Sequence, residues 1–194
     1  MPDKRLGFAS SVRESPYRHT VFAEAFAPTL ANELISWLDG LAWTPRSGGF
    51  FRFDAPREES WRASLLDVVR GAVLTGGRLA ELEEVFQCRL RKAPILELQR
   101  YTRGAGIGVH TDFGVEEVRC VVNLNRGWHL REGGVWVLAC DSALSRDVEY
   151  LPSLSNTGFA FSTGRQSFHA FSRYAGSTAY GVVVRLPRVL LHGA

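Results

Sequence analysis

Apolar residues recur at Leu30, Leu34, Trp37, Leu38 and Leu41, a three-and-four spacing that lines one face of a helix, and Pro28-Thr29 stands where such a helix begins. Upstream, Val21 to Ala27 reads as a short strand. Gly40 and the stretch Pro45–Gly49 break the pattern, and Phe50 to Phe53 alternate with charge as a strand does. Ser60 is then a natural N-cap for a second helix through Leu65, Val68, Val69 and Val73. The helical period returns at Leu79, Leu82, Val85 and Phe86 beyond Gly76-Gly77, which predicts two helical pieces with a break between them. The N-terminal half is predicted to be largely helical.

From Pro94 the texture changes to short alternating or apolar runs between Gly, Asn and Asp punctuation. The predicted strands are Ile95–Tyr101, Gly108–His110, Val118–Leu124, Gly134–Ala139, Gly158–Phe161, Ser167–Phe171 and Ala179–Leu186. Helices first and strands afterwards predict an α+β domain in which a small barrel or sandwich rests on helices. A chain of 194 residues is read as one domain, with mostly helical support over residues 1–93 and a β core over residues 94–187.

Composition narrows the function classes. A formal charge of +3 is too small an excess to point to nucleic acid, and the one local cluster, Arg89, Arg91 and Lys92, reads as a solvated helix end. Cys88, Cys120 and Cys140 are too widely spaced for a disulfide framework or a metal knuckle and read as reduced thiols. The first twenty residues hold no apolar signal core, and no run approaches the roughly 20 apolar residues that cross a bilayer. No membrane association and a cytoplasmic location are expected.

The candidate chemistry lies in Gly108-Val109-His110-Thr111-Asp112, a His-x-Asp at a strand end. Residues two apart on a strand share a side and lie about 6–7 Å apart, so His110 and Asp112 can face one ion while Thr111 faces away. A second histidine, His169, stands inside a later strand-like run. Two imidazoles and one carboxylate form a facial triad that leaves positions on an octahedral ion open. Spacing alone leaves a second reading, in which these histidines are hydrogen-bonded structural residues.

The order of motifs extends the case. Leu98-Gln99-Arg100-Tyr101-Thr102-Arg103-Gly104, then His110-Thr111-Asp112, then Arg119 to Asn125, then Trp128 and Glu132-Gly133-Gly134, resembles the 2-oxoglutarate/iron(II) oxygenases of the prolyl-hydroxylase-like group. The third ligand would come from the segment 156–171, at His169. The resemblance covers about residues 94 to 186, with a fainter echo in the helix around Leu30–Leu41. It implies a double-stranded β-helix, iron(II) on His110, Asp112 and His169, and 2-oxoglutarate and O2 as co-substrates. It further implies oxidation of a substrate C–H coupled to decarboxylation of the keto acid to succinate. Because Asp112 supplies a carboxylate, hydroxylation or a related oxidation is implied rather than halogenation.

One element of the pattern is missing. The far carboxylate of 2-oxoglutarate needs a cation, best an Arg fork, and the family places it after the last histidine, where this chain has Thr178. Arg119, Arg173 and Arg185 are the candidates to replace it, with Tyr101 and Thr178 as hydroxyl donors and Asn123 as an inward amide. Arg185 shares a strand side with Ala179, Gly181 and Val183, opposite Thr178 and Tyr180, which counts against Arg185 if Thr178 faces the pocket. Trp128, Trp136, Phe159, Phe161 and Phe168 read as core, His19 and His129 as surface, and Asn125 as a turn residue. Gly104, Gly106 and Gly108 are expected to form a flexible loop at the pocket mouth, and Arg46–Glu59 and Asp141–Asn156 are the loops to watch for recognition. The expected substrate is a peptidyl side chain, an amino acid or a natural product. Two alternatives stay open: a metalloenzyme of the same barrel that does not use 2-oxoglutarate, and a non-catalytic ligand-binding module.

Overall fold

In the computed structural model, residues 11–57, 67, 68, 71 and 77–189 are described. The helix foreseen from Ser60, with Leu65, Val69 and Val73, lies outside them apart from Val68, which is helical and exposed. The described elements are strands β1 (Ser11–Arg13) and β2 (His19–Phe22), helix α1 (Pro28–Asp39), strands β3 (Trp43–Ser47) and β4 (Phe51–Pro56), and helix α2 (Arg78–Phe86). Strands β5 (Ile95–Tyr101), β6 (Gly106–His110), β7 (Glu117–Leu124), β8 (Trp136–Ala139), β9 (Glu149–Leu151), β10 (Thr157–Ser162), β11 (Phe168–Phe171) and β12 (Ala179–Pro187) follow.

All twelve strands join one antiparallel sheet in the order β1-β2-β10-β7-β12-β5-β4-β6-β11-β8-β9, with β3 on β4. The sheet folds over at β4, which pairs with β5 through Asp54–Arg100 and with β6 through Phe51–Ile107. This is an α+β domain built on a double-stranded β-helix with supporting helices.

Strand alternation explains the layering. On β7 and β12 one parity (Val118, Cys120, Val122, Leu124; Tyr180, Val182, Val184, Leu186) packs against Ala31, Leu34, Ile35 and Leu38 of α1 and Leu79, Leu82 and Phe86 of α2. The other parity turns into the barrel, where Val121, Ala179 and Val183 meet Tyr101, Trp136 and Phe171. The strands at the middle of the sheet are thus covered on both faces, which is why they read as nearly continuous apolar runs.

The described N-terminal residues also contribute strands, β1 to β4, all of which enter the sheet. Pro45 had marked a break, yet β3 pairs only with β4 and is an edge, where a residue without an N–H is tolerated. Gly106 and Gly108 lie in β6, not in a flexible loop. A Cβ on Gly106 would stand 3.2 Å from the Phe171 carbonyl oxygen, and one on Gly108 3.1 Å from that of Phe50, so these glycines admit close backbone neighbours. His19 is also not a surface residue: it is fully buried, with Nδ1 2.8 Å from the Tyr17 carbonyl and Nε2 2.9 Å from Glu149. No described helix is long and apolar enough to cross a membrane.

Candidate metal centre

β6 and β11 pair so that His110 and His169 stand directly opposite each other, with ring centroids 4.2 Å apart. Asp112 lies two residues past His110, where the strand has ended and the chain turns across the barrel mouth. One ligand atom from each of His110, Asp112 and His169 falls within 4.8 Å of the others.

The hydrogen bonds around the triad fix which atoms face inward. His110 Nδ1 is 2.9 Å from the Gly108 carbonyl and His169 Nδ1 is 3.0 Å from the Ser167 carbonyl. A carbonyl only accepts, so each Nδ1 carries the proton and each Nε2 keeps its lone pair, the tautomer a metal requires. Those Nε2 atoms lie 3.9 Å from Asp112 Oδ1 and 3.3 Å from Asp112 Oδ2. Asp112 Oδ2 is hidden from solvent and receives no well-directed hydrogen bond, although the Arg119 guanidinium approaches to 2.7 Å. A buried carboxylate oxygen left in this state beside two imidazole lone pairs fits a divalent cation, and a two-His, one-carboxylate set fits iron(II).

The electrostatics agree. Burial lowers the pKa of the His110 imidazole, and the neighbouring His169 lowers it further, so His110 is neutral at physiological pH. Burial works against the Asp112 charge, yet the facing His169 imidazole, then the Arg119 guanidinium and the His110 ring, hold its carboxyl below the usual range.

The sequence candidates separate cleanly. Arg119 lines the pocket with both histidines, alongside Gln99, Val121 and Val183. Arg185 shares the inward parity but donates from Nε to Glu117 at 3.0 Å and from Nη1 to Glu97 at 2.8 Å. Arg173 is exposed beside Gly104, away from the triad. Thr178 precedes β12 on the parity of Tyr180, which packs toward the helices, so the site does not gain its hydroxyl. Tyr101 is wholly buried and donates its hydroxyl to Gln99 Oε1. Asn123 accepts from the Trp136 indole at 3.0 Å and borders a separate apolar hollow with Val21, Leu151 and Phe159.

Sequence reasoning missed several neighbours of the triad. Tyr17 is half-buried, and first burial and then the Asp112 charge push its phenol pKa upward. The Phe50 ring lies 5.0 Å from that of His110, at the tip of the β3–β4 hairpin. Glu117 is 1% exposed between the guanidiniums of Arg119 and Arg185. The Glu117-x-Arg119 spacing was available as a signal, since both residues share one strand side; Tyr17 and Phe50 arrive by tertiary contact alone.

No family model and no curated protein sequence matches the chain. Solved structures do. The fold is shared with solved proteins named as prolyl hydroxylases and 2OG-Fe(II) oxygenases, the group that the motif order resembles. A Pseudomonas putida prolyl-4-hydroxylase superposes with a TM-score of 0.71 at 17% identity, over 89% of this chain and 93% of that one. A 2OG-Fe(II) oxygenase family oxidoreductase from Burkholderia pseudomallei gives 0.67 at 14% identity, over 87% and 84%. A Trichoplax adhaerens prolyl hydroxylase, solved with a hypoxia inducible factor peptide fragment, gives 0.65 at 11% identity, over 87% and 83%.

Proposed function

We propose that the chain is an iron(II)- and 2-oxoglutarate-dependent dioxygenase that hydroxylates an unactivated C–H of a peptidyl side chain, an amino acid or another small molecule. The observation that carries this reading is the convergence of two fixed imidazole lone pairs and an underbonded carboxylate oxygen at the mouth of a double-stranded β-helix. The structural neighbours, two of them prolyl hydroxylases, support the same class.

His110, Asp112 and His169 would hold iron(II), which supplies O2 activation when a keto acid is bound beside it. The protein's own contribution is position and exclusion of water. The backbone carbonyls of Gly108 and Ser167 lock both ring orientations, and Phe161, 4.8 Å from His169, walls the inner side. Phe50 and Phe113 are 51% and 55% exposed, one with its ring beside that of His110 and the other next in sequence to Asp112, and they would offer apolar contact to a substrate. Three unpaired cysteines support a reducing compartment such as the cytoplasm, where iron(II) persists.

The test is an anaerobic titration of the iron(II)-loaded protein with 2-oxoglutarate, read by the visible charge-transfer band that appears only when the keto acid chelates iron. The band is expected in the native protein and absent from Asp112→Ala. Iron bound at one equivalent with no band on adding the keto acid would reject the reading.

A further inference from the structure

We infer that Arg119 is the cation that holds the second carboxylate of 2-oxoglutarate, so that in this chain the anchor sits on β7, against the metal ligand Asp112, and not on the last strand. The inference rests on the proposed function and adds a residue to it.

The last strand cannot supply the anchor. Its positions facing the barrel from the deep end are Ala179, Gly181 and Val183, none of them charged. Gly181 is also closely overlain, since a Cβ there would stand 3.2 Å from the Tyr101 ring and 3.6 Å from the Gln99 amide oxygen. The next inward residue, Arg185, is held by Glu117 and Glu97. Among the described residues that line the pocket with His110 and His169, Arg119 alone is a cation.

Arg119 is also built for the task. Its Nε donates to Glu117 at 2.6 Å, and its Nη1 lies 2.7 Å from Asp112 Oδ2. Its Nη2 has no partner among the described residues and remains available on a side chain that is 16% exposed. Glu117 is buried and gripped from its other side by Arg185, whose Nη1 in turn meets Glu97 at 2.8 Å. The guanidinium is therefore oriented before any ligand arrives, and little side-chain freedom is lost on binding. Glu97 on the same wall would repel a dianion, but Arg185 neutralises it. In the whole chain, Asp112, Glu117 and Glu97 alternate with Arg119 and Arg185, so a divalent ion on Asp112 turns the local excess from negative to positive. Because one guanidinium contacts both the metal carboxylate and the keto acid, binding of metal and of co-substrate are coupled through it.

The test separates the second carboxylate from the chelating end. Manganese(II)-loaded protein, which is redox-inert here, is titrated by calorimetry with 2-oxoglutarate and with 2-oxobutyrate, a keto acid that chelates alike but lacks the second carboxylate. The native protein is expected to prefer 2-oxoglutarate by about 10- to 100-fold, the range of a charge-assisted hydrogen-bond pair. Arg119→Gln is expected to bind 2-oxobutyrate as before and to lose the preference, Arg119→Lys to keep part of it, and Arg173→Gln to keep all of it. A preference that survives Arg119→Gln, or that collapses in Arg173→Gln or Arg185→Gln while surviving in Arg119→Gln, overturns the assignment. If Arg119→Gln no longer retains manganese, Arg119→Lys decides: selective weakening of 2-oxoglutarate supports the assignment, and equal weakening of both acids overturns it. A native protein that binds both acids equally overturns this inference alone, whereas one that binds neither overturns the proposed function.

Discussion

At the scale of single residues, burial sorts chemically similar groups into different roles. His110 and His169 both spend Nδ1 on the carbonyl two residues before them, which leaves Nε2 for a metal, whereas buried His19 spends Nδ1 on the Tyr17 carbonyl and its Nε2 faces Glu149 at 2.9 Å without a well-directed hydrogen bond. The three cysteines divide in the same way. Burial between β7 and the helices pushes the Cys120 thiol up to about 12, with a small opposing pull from Arg78, while Cys88 and Cys140 are only half-buried. The thiolate is the reactive form, and at pH 8 Cys120 holds almost none of it. Burial also raises the Cys88 thiol, so iodoacetamide at pH 8 is expected to label Cys88 slowly in the native protein and Cys120 only after unfolding, as peptide mass spectrometry would show. Labelling of native Cys120 at the rate of Cys88 would mean that the helix layer opens readily.

At the scale of elements, the sharpest constraint is the turn between the short helical turn Leu130–Glu132 and β8. Gly133 has φ +66°, and a Cβ there would collide with the carbonyl oxygen of Arg173. The Gly133–Tyr174 bridge is what ties this turn to the segment leaving β11. Gly133→Ala is expected to cost at least about 1–3 kcal/mol, from the left-handed backbone before any steric term is added. Urea denaturation would measure it, and a change under about 0.5 kcal/mol, the level of an ordinary surface substitution, would show that the turn relaxes freely. The elements also show what the sequence could reveal. β5 was legible to the residue, and β7, β10 and β12 nearly so, because alternating or continuous apolar positions run between turn residues. β3 was hidden by Pro45, and β9 by being three residues long with only Leu151 buried. The triad was legible because His-x-Asp closes one strand-like run and a second histidine stands in a later one. The cation we infer as the anchor was not, because alternation says which residues share a face but not which face is the inner one. Once Val183 is seen to face the barrel, Thr178 leaves the site, and Arg185 is inside it but already bound to Glu117 and Glu97.

At the scale of the whole molecule, two apolar clusters share their walls. One holds α1 and α2 against the outer faces of β5, β7, β10 and β12, and the other fills the barrel from the inner faces of the same strands. Neither can be lost while the other persists, so helix and barrel signals are expected to melt together. Far-ultraviolet and near-ultraviolet circular dichroism followed through one thermal transition would test this. A helical signal that outlives the aromatic one would show two units. The same shared walls govern how the gene can change length. Side chains on a strand alternate strictly, so deleting one codon within β7 would evert every residue beyond it. Arg119, or a residue that should line the barrel, would be driven into the oily layer under Leu38, and a valine would take its place beside the metal ligands. Single-residue gains and losses are then survivable in the connections, such as the segment 141–148, and ruinous in β7 and β12. A lineage descended from this chain should therefore keep the lengths of those two strands long after their individual residues have drifted.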